Sequence, residues 1–280
     1  MKGKKILVTH TWPDLDAIAS TWLIKKYLPG WKNAELHFVP AGKTLKNKPP
    51  DQDPNIIHTD TGRGKFDHHQ ISEKTSAAKR VFQYLSEKKH IPANQKKPLQ
   101  RLVEIITIID NFGEVNFPDP TSDVYDLSLH QLIEGLKIKY NSDLETTLTG
   151  YDLLEASLNI LRKKVLAEKE IKKGLIFNCS QGKALALISS NEESAKLALK
   201  SGFQLVVRKD KNREFLKIKA HPNSNIDLTS TYQLLKKIDP KALWFLHQSK
   251  KILLNGSAKN PDFVPTKLSL QKIIEVLKKI

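Results

Sequence analysis

The feature that most narrows the fold is an arrangement that recurs near the start of the chain: a short apolar run that stops at ligand-type side chains. Ile6-Leu7-Val8-Thr9 reads as a buried strand ending at His10, and Trp12-Pro13 breaks it. Asp14 or Asp16 is placed to cap a helix over Ala17–Leu28, which Pro29-Gly30 ends. Ala34–Ala41 reads as a second strand, the polar, proline-rich stretch 43–54 as a loop, and Asn55–Thr61 as a third strand. That strand runs into Asp60-Thr-Gly-Arg-Gly-Lys-Phe-Asp67-His68-His69-Gln70. Strand, helix, strand, strand is the order of an α/β domain with an open, mostly parallel sheet and flanking helices. In such sheets, sites lie beyond the carboxyl ends of the strands.

The pattern then turns helical. Ser76–Lys89, Pro98–Ile109 and Asp126–Tyr140 repeat apolar residues at helical spacing, and Leu153–Lys173 continues as a long helix up to Gly174. From Leu175 the alternation changes. Strands are expected at Leu175–Cys179, Ala184–Ser189, Gln204–Arg208, Phe215–Ala220, Trp244–His247 and Ile252–Leu254, with helices at Glu192–Lys200, Thr229–Ile238 and Leu268–Lys279. The expected organisation is a first α/β domain over 1–150, a connecting helix over 151–174 and a smaller α/β domain over 175–280.

A single cysteine, Cys179, excludes an intramolecular disulfide and a multi-cysteine zinc cage. No apolar run approaches the roughly 20 residues of a membrane span, and Ile6-Leu7-Val8 is too short for a signal-peptide core. A cytoplasmic setting with no membrane partner is therefore expected. The net charge of +16 points to an acidic partner, with lysine used as a solvating residue as the plainer reading. The excess is uneven: residues 175–280 carry 19 Lys/Arg against 8 Asp/Glu, and residues 1–174 carry 27 against 22.

Asp and His suit hard-to-borderline divalent cations, and glycine lets backbone fold tightly around an ion. His10, Asp14 and Asp16 sit at the turn after one strand, with side chains short enough to share a crevice. Asp60, at the end of a neighbouring strand, could face that crevice and bridge two ions. His68 lies eight residues on, and Asp110 falls at the carboxyl end of an apolar helix, where a carboxylate is better tolerated beside a cation. Taken singly, each of these could be a cap, a turn former or a surface group. Gly62 and Gly64 read as slack beside the metals. Trp12 and Trp244 could stack a base, with core packing the alternative for Trp244.

His10-x-x-Pro13-Asp14-x-Asp16-Ala-Ile-Ala-Ser, Asp60, Asp67-His68-His69 and Asp110 resemble the four ordered motifs of the DHH phosphoesterase superfamily. That group includes RecJ-type exonucleases, nanoRNases, cyclic-dinucleotide phosphodiesterases and family II pyrophosphatases. Phe66-Asp-His-His-Gln70 with Ile109-Asp110-Asn111 is similar to the Myg-type branch of metal-dependent hydrolases and exonucleases, as is Trp244-Phe-Leu-His247 with Leu254-Asn255-Gly256-Ser257. The first motif is closer to the superfamily at large than to that branch. The last third lacks the Gly-Gly-Gly-His element of many associated substrate domains.

The resemblance implies two Mn²⁺ ions, with Mg²⁺ as the alternative. His10, Asp14 and Asp60 would hold one, and Asp16, Asp60, His68 and Asp110 the other. Asp67 would orient the neighbouring histidines and His69 would contact phosphoryl oxygens, giving a catalytic set of Asp67, His68 and His69. His247, Lys250, Lys251, Asn255, Gly256 and Ser257 would bind substrate in place of the missing glycine-rich element. The expected activity is hydrolysis of phosphodiester bonds by a two-metal-activated water, as an exonuclease on short single-stranded RNA or DNA. The alternatives are a phosphohydrolase for a cyclic dinucleotide, nucleotide or pyrophosphate, and a non-catalytic nucleic-acid-binding module. The partner is thus a nucleic acid or nucleotide phosphate, with oligomeric state open and a homodimer allowed.

Overall fold

A computed structural model describes residues 3–260 and 262–279; Met1, Lys2, Pro261 and Ile280, including the outer ends of both expected domains, lie outside the described residues. The chain divides into two compact units, 1–162 and 163–280. The fold is mixed α/β.

In the first unit a three-stranded parallel sheet has the order β2-β1-β3, formed by β1 (Ile6–His10), β2 (Glu35–Val39) and β3 (Ile56–His58). The central strand buries Leu7, Val8 and Thr9 completely, as its apolar run requires. Helix α1 (Leu15–Tyr27) is buried nearly all round, from Leu15 to Ile24, which fits its lack of a polar face. It packs with α2 (Ala77–Glu87) and α3 (Ala93–Asp110) in one core that includes Leu23, Leu85, Leu99 and Ile106. Helix α3 starts five residues before the expected Pro98, because a proline this near a helix start removes few hydrogen bonds. Next come α4 (Leu129–Tyr140) and α5 (Asp143–Lys173). The helix expected as a connector over 151–174 begins at Asp143, and its Leu154 and Leu158 belong to the first core. The division between the units falls within it.

The second unit holds a six-stranded sheet of order β4-β5-β6-β7-β9-β8. The strands are β4 (Leu175–Cys179), β5 (Gly182–Ile188), β6 (Leu205–Lys209), β7 (Leu216–Ala220), β8 (Trp244–Leu246) and β9 (Ile252–Asn255). Only β5 and β6 run parallel, joined through α6 (Glu192–Lys200). Alternation along β5 and β6 feeds two cores. Leu185, Leu187 and Val206 meet α6, while Ala184, Ala186, Leu205 and Val207 join a larger core with α7 (Thr229–Ile238) and α8 (Leu270–Leu277). Trp244 lies in that larger core, whereas Trp12 is about half exposed. Among the described residues, no helix is long and apolar enough to cross a membrane.

Candidate metal centre

The ends of adjacent parallel strands bring the first ligand candidates together. His10 closes β1, and Asp60 follows β3 in a left-handed backbone conformation (φ 55°). The Asp60 N–H donates to Phe66 O at 3.0 Å, closing the loop that returns to His68. Within that loop Gly62 has φ 77°, and a Cβ there would lie 2.7 Å from Thr44 Cγ2. At Gly64 a Cβ would lie 2.8 Å from Asp51 Oδ2 and 2.9 Å from Pro50 Cβ. The glycines therefore supply close approach to neighbouring chain, a tighter role than slack.

Asp14 is the N-cap of α1, its Oδ1 accepting from the N–H groups of Asp16 and Ala17 at 3.0 Å each. Asp16 has a second tie. Its carboxylate accepts from the first-turn N–H groups of α2, Ala77 at 2.6 Å and Ala78 at 2.9 Å, so it shares the capping of that helix with Ser76. Asp110 is the last residue of α3.

Six side chains converge on two sets of donor atoms, each within 4.8 Å: His10, Asp14 and Asp60 in one, and Asp16, His68 and Asp110 in the other; a third, overlapping set joins Asp60 and His68 to His69. Asp60 touches both. Its Oδ2 lies 3.2 Å from His10 Nε2, and its Oδ1 lies 3.2 Å from His68 Nε2. His68 Nε2 is also 3.5 Å from Asp110 Oδ2 and 3.8 Å from Asp16 Oδ2. His69 Nδ1 lies 2.7 Å from Asp67 Oδ1 and 3.8 Å from Asp60 Oδ1, and its ring is largely exposed. Asp67 itself is buried. It also accepts from the N–H groups of His69 at 3.1 Å and Arg63 at 2.6 Å, so it orients His69 and the glycine loop.

Burial and mutual repulsion govern the charges. Burial drives the Asp16 carboxyl well above the ordinary carboxylate range, and Asp60, Asp110 and Asp14 push it the same way. Burial, then Asp60, raises Asp14. Burial also takes Asp110 up to about 7, with Asp60 and Asp14 adding to it against the pull of His68. For Asp60 burial works against the charged form, but the imidazoles of His10 and His68 outweigh it and bring the group to about 2. Burial likewise opposes the His10 cation, yet Asp60, the Thr11 carbonyl and Asp14 raise it to about 9.

The donor set fits divalent cations. Asp60 Oδ1 and His68 Nε2 are buried and find no hydrogen-bond partner, although they face each other at 3.2 Å. Four carboxylates share two imidazoles in these two sets, so negative groups outnumber the groups that could balance them. Oxygen-rich ligation with one imidazole in each set suits a hard-to-borderline divalent ion.

Two cavities open on these residues. One of about 340 Å³ is lined by His10, Asp14, Asp60, Asp110, Asp67, His69, Arg63 and the Ala41-Gly42 backbone. The other, of about 180 Å³, adds His130 and Glu134 of α4 to Asp14, Asp16 and Asp110. Sequence reasoning missed Arg63, His130 and Glu134. Arg63 lies inside the motif loop, where its position between two glycines was available as a signal. His130 and Glu134 have only the helical i, i+4 spacing to recommend them.

The second unit places the remaining expected residues in other roles. Asn255 is fully buried; its Nδ2 donates to Leu243 O and Val264 O at 2.9 Å each, and its Oδ1 accepts from Thr266 N at 2.7 Å. Lys251 Nζ donates to the carbonyls of Ser224 and Ile226 at 2.6 and 2.7 Å. Gly256 lies against Phe263 and Phe215, with no space for a Cβ. These three hold the domain together where a grip on substrate was expected, because loop carbonyls and aromatic rings claim them. His247 contacts Ser249, Lys250 pairs with Asp227, and Ser257 lines a cavity of about 530 Å³ with Phe245 and Lys259. Asn255→Ala should destabilise the second unit by about 2–4 kcal/mol, since it strands two carbonyls and one N–H. Urea unfolding of the full chain followed by circular dichroism measures this, and an unchanged unfolding curve would refute the structural role.

A comparison with the curated proteins finds no match. Two solved structures share low similarity with the chain. RecJ from Thermus thermophilus, in complex with Mg²⁺, is 13% identical with a TM-score of 0.29; the alignment covers 99% of this chain and 49% of that one, so this chain spans about half its length. The DHH domain of a member of the S1p family of ribosomal proteins is 12% identical with a TM-score of 0.33, covering 100% of this chain and 88% of that one. A family model, that of the C-terminal domain of ChrB, matches residues 7–159 and so takes in every ligand candidate from His10 to Asp110. The chain belongs to the ChrB C-terminal domain family.

Proposed function

We propose that this chain is a divalent-metal-dependent phosphoesterase of DHH type that hydrolyses phosphodiester bonds, as an exonuclease on short single-stranded RNA or DNA. The observation that carries this reading is Asp60, whose two oxygens face two separate donor sets from the ends of adjacent strands. His10, Asp14 and Asp60 would hold one ion, and Asp16, Asp60, His68 and Asp110 the other, as Mn²⁺ or Mg²⁺. Bound there, such ions supply the Lewis acidity that activates water and offsets charge growing on a phosphoryl group.

The chain's own groups do the rest. Asp67 holds Nδ1 of His69, which leaves Nε2 of that exposed ring to meet a phosphoryl oxygen. Asp60 and Asp110 keep His68 directed at the buried donors. The basic excess of residues 175–280 supports a polyanionic substrate, for which His247, Lys250 and Ser257 remain the available side chains.

Replacing Asp67-His68-His69 with three alanines should lower hydrolysis of an oligonucleotide by about 10³-fold with Mn²⁺ or Mg²⁺ present. Substrate affinity of the wild type should also fall steeply with added salt, since several lysines would each neutralise a phosphate. Turnover of small phosphate esters with a flat salt response would replace the polynucleotide by a small-molecule substrate. Unchanged turnover in the triple variant across oligonucleotides and small esters would remove the enzymatic reading altogether.

A further inference from the structure

We infer that Arg63 is the anion anchor of this centre, gripping the phosphoryl group of the substrate opposite the carboxylate cluster. The inference rests on the phosphoesterase reading above and adds a residue that neither the motif resemblance nor the ligand geometry assigned. A cavity walled by Asp14, Asp60 and Asp110 repels an anion unless some other part of its lining attracts one. In the cavity of about 340 Å³, His10 is already paired with Asp60, which leaves Arg63, His69 and the Ala41-Gly42 stretch.

Arg63 is exposed, and among the described residues its guanidinium takes part in no ion pair or hydrogen bond. Several carboxylates line the same cavity, so a free arginine there is unusual, and its five donors remain available. Its backbone, by contrast, is fixed. The residue has φ 56°, its N–H donates to Asp67 Oδ2 at 2.6 Å, and the glycines on either side are packed against Thr44 and Pro50. The same buried carboxylate fixes the ring of His69 through Oδ1 at 2.7 Å. One side chain thus sets both cationic or donor groups on the anion-facing wall. A planar guanidinium binds two phosphoryl oxygens at once, which a lysine cannot do.

The test uses the full chain and inorganic phosphate as the probe. Calorimetry would measure phosphate binding to Mg²⁺-loaded wild type, Arg63→Ala, Arg63→Lys and Arg63→Gly, and Mn²⁺ binding to each metal-free protein. Arg63→Gly keeps the left-handed backbone without strain, which guards against a folding artefact. Phosphate affinity should fall about 10- to 100-fold in the alanine and glycine variants and by less in the lysine variant. Mn²⁺ affinity should stay within about twofold of wild type, because Arg63 touches no ligand atom. Equal phosphate affinity in wild type and both truncations would overturn the inference while leaving the metal centre standing. So would a wild type that takes up Mn²⁺ but binds no phosphate. A wild type that takes up no Mn²⁺ would overturn the metal reading, and this inference with it.

Discussion

Asp60→Asn should abolish uptake of divalent ions at both donor sets and lower hydrolysis by about 10³-fold, equivalent to ~4 kcal/mol of transition-state stabilisation. Asp60 faces both sets, with His10 3.2 Å from one oxygen and His68 3.2 Å from the other. Asparagine keeps the shape of the side chain and removes its charge. It also tolerates the left-handed backbone at φ 55°, where alanine would add strain. The substitution therefore isolates the charge. Titration calorimetry with Mn²⁺ and single-turnover hydrolysis would measure the two effects. Retained uptake of two ions per chain would rule out the bridging role.

Adding Mn²⁺ or Mg²⁺ at about 100 times its dissociation constant should stabilise the protein by ~2.7 kcal/mol and raise the melting temperature by roughly 5–10 °C. The gain should grow with pH. Asp110 is raised to about 7, so between the ordinary carboxylate range and that value the folded metal-free chain holds a proton that the unfolded chain has lost. Its contribution to stability is full at low pH and disappears as pH rises through about 7. His10, raised to about 9, contributes below its ordinary value of 6.5 and loses that contribution as pH rises through about 9. Metal-free protein should therefore melt at falling temperature from pH 6 to 9. Cations meet less competition from protons over the same window and bind more tightly. Scanning fluorimetry in EDTA and in Mn²⁺ across that range tests both trends. Identical melting in the two conditions at every pH would exclude a cation site.

Much of the fold could be read from the sequence, and the reasons are local. Helices α6 and α7 and strand β4 fall where periodicity puts them, because one apolar face and a cap or turn residue settle each element. The ligand candidates were legible for a similar reason. His10 ends one apolar strand and Asp60 follows another, so the parallel pairing of β1 with β3 carries both to the carboxyl end of the sheet. What the sequence hid depends on distant partners. The Asn255 amide looks like a surface group until the carbonyls of Leu243 and Val264 are seen to need its donors. The start of α5 at Asp143 was hidden by the polar residues that precede Leu154. Arg63 was overlooked because its value comes from the cavity it faces, and spacing along the chain does not show a cavity.

The carboxylate of Asp16 has a consequence for how the centre comes into being. It reaches across 61 residues of chain to hold the first turn of α2 while also belonging to a donor set. Closing a loop of that length costs conformational entropy, and the packing of α1 against α2 is what offsets it. The second donor set thus has no existence in a chain whose helices are still apart. That set is thereby tied to the packing of two helices, whereas His10, Asp14 and Asp60 depend on the pairing of β1 with β3.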